Sequence, residues 1–158
     1  MTQSQDGDAI EYVHRIRALT VELNLLAAEF AARNDLHTTD LRALIELLDA
    51  ARAGIPSTPG WLGGQLGISS ASTTALIDRL AAAGLLERQR DTTDRRRVLV
   101  TVTPRAEDLG WSFFGPLIAR VVTTVETFSP DEQQTISTFL DRMQEAATDA
   151  RDALTPDR

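Results

Sequence analysis

The sequence predicts a mainly α chain with one small β-hairpin (α+β), and three observations carry that prediction. Apolar residues recur at three- and four-residue steps over most of its length, the period of amphipathic helices. Near the middle, two helix-sized segments are joined by a turn of about three residues containing Gly67. Directly after them the pattern changes to a strand-like stretch from Leu85 to Arg90 and a β-branched run, Val98-Leu99-Val100-Thr101-Val102-Thr103, with residues 91–97 between them as a loop. Two helices on a tight turn followed by a hairpin form a winged helix-turn-helix, and helices remain on both sides of it.

Each element has its own signal. Ile10, Val13, Ile16, Leu19, Leu23, Leu26 and Phe30 give a long first helix with a narrow apolar stripe, close to a coiled-coil seam. A second helix starts at Thr38 or Thr39, with Asp40 in its first turn, and Gly54 stops it. Thr58-Pro59 is a cap followed by a first-turn proline, and Gly67 closes the short helix they open. Ser69 caps the next helix, which runs to Ala83 and stops at Gly84, with Thr73, Leu76, Ile77 and Leu80 on its buried face. Thr103-Pro104 opens a long helix, in which Gly115-Pro116 predicts an interruption and a kink. Ser129-Pro130-Asp131-Glu132 combines a cap, a proline and a capping-box glutamate at the head of the last helix.

Charge is unevenly shared. The 158-residue chain has a formal net charge of −7, and all of its basic residues are arginine. From Ser69 to Arg105 seven arginines face four acids, while the rest of the chain holds nine arginines against nineteen acids. A basic module therefore sits in an acidic body, as a localised nucleic-acid footprint would, or a surface for an acidic protein. The absence of cysteine excludes disulfides and thiol chemistry. No apolar run approaches the ~20 residues of a membrane span. With a polar N-terminus, the expectation is a soluble cytoplasmic protein without membrane contact.

The arginines concentrate in the stretch RDTTDRRRVLV, residues 90–100. An arbitrary arginine triplet is most often a solvated loop tip. At the tip of a hairpin that follows a helix-turn-helix, it is placed to enter the minor groove of DNA, where arginine is favoured. Arg95 and Arg96 are the candidates for that role, with Arg90 and Arg97 on the flanks and Asp94 expected to brace one of the arginines. The outward face of the preceding helix offers Ser70, Ala71, Ser72, Thr74 and Ala75, which suit phosphates, base edges and thymine methyls, and Arg79, which suits the backbone.

The stretch from Leu62 to Thr103 resembles the winged helix-turn-helix core of the MarR family of transcriptional regulators. Leu62, Leu66, the Ile77-Asp78-Arg79-Leu80 run, Gly84-Leu85-Leu86 with Arg88, and Asp91-x-x-Asp94-Arg95-Arg96 carry the resemblance, and Thr103 stands where the family begins its fifth helix. The order of the flanking helices agrees as well. The resemblance implies a homodimer on a pseudo-palindromic operator of double-stranded DNA, commonly a repressor released by a small aromatic acid or phenol. Gly63-Gly64, Ala106 and Gly115-Pro116 depart from the family pattern, and the lack of cysteine removes its thiol-oxidation branch.

These signals set out the domains. Residues 1–8 are expected to be disordered and 151–158 to fray, with polarity rising from Thr148. Residues 38–103 form the DNA-binding domain, and 9–37 with 104–150 supply dimerisation helices whose apolar stripes one small domain cannot cover. A ligand pocket is expected around Trp111, Phe113 and Phe114, with Phe30 and His37 as neighbours, although aromatics at helical spacing are more often core. No cofactor, metal or catalytic motif is present: the two histidines lie far apart, and GxSxG, HExxH and a P-loop are absent. The rival reading is a winged-helix module that binds protein without specific DNA recognition.

Overall fold

The computed structural model describes residues 2–154, with side chains from residue 9. The disorder expected at 1–8 falls on residues not described in full; of the fraying expected at 151–158, residues 155–158 lie outside the described residues, and 151–153 are helical. The elements in chain order are α1 (Thr2–Arg33), α2 (Thr38–Arg52), α3 (Pro59–Leu66), α4 (Ser70–Ala82), β1 (Leu86–Arg90), β2 (Val98–Val102), α5 (Pro104–Val125) and α6 (Pro130–Ala153). The last helix thus continues past Thr148, where the sequence turns polar.

Local chemistry sets most of these boundaries. Thr58 Oγ1 accepts the Trp61 amide at the head of α3, and Ser69 Oγ accepts the Ser72 amide at the head of α4. Ser129 and Glu132 close the capping box of α6, and the Ser129 hydroxyl and amide hold the Glu132 carboxyl below its ordinary pKa. Gly67 and Gly84 take positive φ, 67° and 71°, where α3 and α4 end. Helix α5 runs through Pro116 as one element, so the expected interruption at Gly115-Pro116 is corrected: the cost of one missing backbone donor does not end the helix.

The chain divides into two compact units, one up to Phe113 and one from Phe114 on. In the first, α2, α3, α4 and the hairpin enclose a core of Ala43, Leu44, Leu47, Leu62, Leu66, Leu76, Ile77, Leu80, Leu85, Leu86, Val100 and Ala106. Burying each large aliphatic side chain contributes roughly 1.5–3 kcal/mol before entropy is counted. Trp61 packs half-buried against this core. The strands pair antiparallel, Leu86 opposite Val102 and Arg90 opposite Val98. The Val100 amide donates to the Ser57 carbonyl at 2.8 Å, and Thr103 Oγ1 donates to the Gly84 carbonyl at 2.8 Å. These bonds fix the hairpin at the end of α4.

Gly63 explains one departure of the sequence. A Cβ there would lie 2.6 Å from Thr73 Oγ1, so the glycine permits close packing of α3 on α4. Its neighbour Gly64 has open space where a Cβ would stand.

In the second unit, the end of α5 and α6 are joined by a short turn, where Gln133 Nε2 donates to the carbonyls of Val125 and Phe128. None of its described residues is buried. Val121, Val122, Phe139, Leu140 and Met143 are all exposed.

Candidate nucleic-acid interface

The interface is built by α4 and the loop of the hairpin. Thr73, Leu76, Ile77 and Leu80 fix α4 to the core, which leaves Ser70, Ala71, Ser72, Thr74, Ala75, Asp78 and Arg79 exposed on the other side. This division matches the sequence reading. The hydroxyls are already partly engaged. Thr74 Oγ1 donates to the Ser70 carbonyl at 3.0 Å, and the Ser69 and Ser72 hydroxyls share a hydrogen bond of 2.9 Å.

Both charged residues of α4 are tied to other elements. Arg79 Nε and Nη2 donate to the two oxygens of Asp40, at 3.1 and 2.5 Å. Asp40 is fully buried, whereas the Arg79 side chain is 43% exposed. The hydrogen bonds to Asp40 push the Arg79 pKa up from its ordinary value. Asp40 Oδ2, the oxygen that accepts from Arg79 Nε, also accepts the His37 amide at 2.9 Å, so a single carboxylate caps α2 and fastens α4 to it. The sequence reading gave Asp40 its capping place and missed its partner, 39 residues further along. Asp78 pairs with Arg88 of β1 at 2.5 Å.

In the loop, Asp91 is buried and organises the turn. Its Oδ1 accepts the Thr93 amide at 2.8 Å and the Thr93 hydroxyl at 2.5 Å, and its Oδ2 lies 3.6 Å from Arg97 Nη1. The Thr93 bonds first, and then the charge of Arg97, hold the Asp91 carboxyl below its ordinary pKa. Asp94 behaves differently from the expectation. Its Oδ1 accepts the Arg96 amide at 3.0 Å, and its carbonyl accepts the Arg97 amide at 2.9 Å. Asp94 therefore shapes the backbone, and the acid that braces an arginine is Asp91, with Arg97 as its partner. Short Asx-type bonds to the amide two residues on compete well with an exposed ion pair.

Pairing of Arg79, Arg88 and Arg97 leaves Arg90, Arg95, Arg96 and Arg105 exposed and without an ion pair among the described residues, the first three of them on β1 and the loop. The free positive charge of the module is thus concentrated on β1 and the loop, next to the neutral outward face of α4. An α-helix of this size fits the major groove of B-DNA, and a hairpin beside it can reach the adjacent minor groove.

The aromatic residues separate into different environments. Phe30 is buried and meets Phe113 edge to face, with ring centroids 5.1 Å apart at 67°. The Arg33 guanidinium stands 5.7 Å from the centre of the Phe113 ring. His37 is exposed at the head of α2, Phe114 is half-buried and Trp111 is 66% exposed. Of the aromatics expected to gather, the structure brings Phe30 and Phe113 together.

Comparison with known proteins gives a consistent result. A family model described as MarR family matches residues 18–97. An uncharacterized HTH-type transcriptional regulator of Bacillus subtilis, YcgE, is 30% identical over 132 residues, 84% of this chain and 81% of its own. Among solved structures, a mutant of MepR from a multidrug-resistant S. aureus clinical isolate superposes with a TM-score of 0.69 at 20% identity, over 86% of this chain and 96% of that one. MepR in complex with DNA gives 0.56 at 19%, over 86% and 99%, and MepR bound to ethidium bromide gives 0.58 at 19%, over 86% and 96%.

Proposed function

Because the chain belongs to the MarR family, a family of transcriptional regulators and not of enzymes, we propose that it acts in the cytoplasm as a homodimeric repressor on a pseudo-palindromic operator. In this reading α4 enters the major groove through Ser70, Ala71, Ser72, Thr74 and Ala75, with Arg79 at the backbone. Arg95 and Arg96 enter the minor groove, Arg90 and Arg97 stand beside the phosphates, and Asp94 holds the turn that presents them.

The observation that carries the reading is the concentration of unpaired arginine beside α4 in a chain of net charge −7. The acidic remainder disfavours contact elsewhere on DNA, so a bound protein has one orientation. Two protomers are proposed because the apolar stripes of α1, with Ile10, Val13 and Leu19, and of α6, with Leu140, stay exposed in one chain. A small aromatic ligand is proposed near Phe30, with Trp111, Phe114 and His37 as further candidates. The edge-to-face pair of buried Phe30 and half-buried Phe113 suits an aromatic ring. MepR, with bound ethidium, is a neighbour of this fold that holds an aromatic compound.

The direct test is fluorescence anisotropy against the DNA flanking the gene, followed by selection from the whole genome. Saturable binding of two protomers to one selected sequence, over a scrambled control, is the expected result. Failure of any genomic fragment to compete better than scrambled DNA would favour the protein-binding module.

A further inference from the structure

The outward face of α4 restricts which bases this protein can read, and the restriction rests on the DNA-binding reading above. Direct readout of guanine in the major groove uses the paired donors of arginine or lysine, and readout of adenine uses asparagine or glutamine. Helix α4, Ser70–Ala82, contains no lysine, asparagine, glutamine or histidine. Its one arginine has an N–H of Nε and one of Nη2 committed to the buried carboxylate of Asp40, which leaves three N–H donors, two on Nη1 and one on Nη2. Those donors stand in the third turn of the helix, and the first two turns, residues 70–77, hold neither arginine nor lysine. Asp78, the one carboxylate on the helix that could accept from cytosine N4, is bonded to Arg88.

The remaining groups on the reading face are small, and most are methyl-bearing. Ala71 and Ala75 lie one turn apart on the exposed side, and both are uncharged with nothing to donate. Thr74 stands between them in sequence. Its hydroxyl proton is spent on the Ser70 carbonyl, so toward a ligand it offers its γ-methyl and a lone pair. The Ser69–Ser72 hydroxyl bond likewise uses one donor of that pair. Beside the Ser70 and Ser72 hydroxyls, which suit a phosphate or either base edge, this face complements an apolar group in the major groove, and the thymine C5-methyl is the one that unmodified DNA supplies there.

We propose that α4 reads its half-site by contact of Ala71, Thr74 and Ala75 with thymine methyl groups, so that the major-groove positions under α4 are A·T pairs with thymine facing the helix. Arg79 contacts a phosphate and specifies no base. No paired donor for guanine stands on residues 70–77. The small side chains allow the helix backbone to approach the bases closely, and this suits methyl contacts, which act only at van der Waals range.

The test uses selected DNA and not a protein variant, so folding is not at issue. The full-length protein is used to select binding sites from a random duplex library, and each thymine of the selected half-site is replaced by deoxyuridine, which lacks only the methyl group. Replacement at the positions under α4 should weaken binding about fourfold for each methyl removed, by the usual value of one buried carbon. Restoring the methyl by placing 5-methylcytosine opposite guanine at the same positions should recover part of the loss relative to cytosine. Replacement of guanines by 7-deazaguanine should change affinity little. The proposal is overturned if deoxyuridine is tolerated throughout while 7-deazaguanine weakens binding at positions under α4. Failure to retain any duplex at low salt would overturn it together with the DNA-binding reading, and the two failures are distinct.

Discussion

In the winged segment Leu62, Ile77, Leu80 and Val100 are at most 1% exposed, whereas from Phe114 on no described residue is buried and Leu140 is 59% exposed. The two regions have similar apolar content in their helices but different partners for it. Helices α2, α3 and α4 face one another and the hairpin, so the apolar face of each is covered within the chain. The end of α5 and α6 form a thin layer in which every apolar side chain keeps a free side. The first region reads as complete in one chain, and the second calls for a cover that a second chain can provide.

The strongest way to break this contrast is to remove a side chain from each region. Leu62→Ala should lower unfolding stability by about 2–5 kcal/mol, because it leaves a cavity in a closed core. Leu140→Ala should change the stability of the dilute protein by no more than about 0.5 kcal/mol and act instead on self-association, which sedimentation equilibrium reads. Equal losses in urea denaturation at low concentration would erase the distinction.

A smaller effect is expected at the link between α2 and α4. Arg79→Met leaves the buried Asp40 carboxylate with one hydrogen bond, from the His37 amide. Breaking a fully buried pair costs 3–5 kcal/mol, but Arg79 is 43% exposed and solvent shares its charge, so about 1–3 kcal/mol is expected in thermal unfolding.

The adjacent glycines of α3 sharpen the account at the scale of one methyl group. Gly64→Ala, into open space, should stabilise the protein by about 1 kcal/mol through helix propensity. Gly63→Ala meets Thr73 Oγ1, and forcing α3 from α4 should cost about 1–3 kcal/mol, which exceeds that gain. Opposite signs in paired denaturation curves are the expected outcome.

The smallest effect concerns the loop. Asp91 has a lowered pKa in the folded protein, so its contribution is present above the ordinary carboxylate value near 3.9 and is lost as pH falls through the lower folded value. The Asp91 carboxyl carbon, followed by NMR, should titrate below the ordinary carboxylate value. The Thr93 amide should keep its chemical shift until the same low pH. Titration of Asp91 at the ordinary value would mean that its bonds do not order the loop in solution.

Much of the fold was legible because its signals are local. Thr58-Pro59, Ser69 and Ser129-Pro130 mark helix starts by bonds to amides within three residues, and the β-branched run at Val98 marks a strand by its own composition. The reading face of α4 was equally plain, since Thr73, Leu76, Ile77 and Leu80 fix its orientation by spacing. The misses come from relations that local pattern does not hold. Asp40 and Arg79 meet only once α2 and α4 pack. The value of Gly63 depends on Thr73 across the helix pair. In the loop, both Asp91 and Asp94 had plausible arginine partners, and the choice was made by geometry: Asp94 lies two residues from the Arg96 amide and takes that bond. Gly115-Pro116 carries the residues of a helix break but not its outcome, because one lost hydrogen bond in a 22-residue helix is a cost and not a stop.

The central claim is that charge left unpaired at the hairpin tip is there to meet DNA. The measurement that tests it most directly is the salt dependence of binding to a selected operator for the wild-type protein and for Arg95→Ala/Arg96→Ala. The account predicts a steep negative log–log slope for the wild type, with about −0.9 for each phosphate neutralised, and a slope shallower by about two in the double variant. An unchanged slope and affinity in the double variant would contradict it, since the two arginines would then have no contact with the nucleic acid.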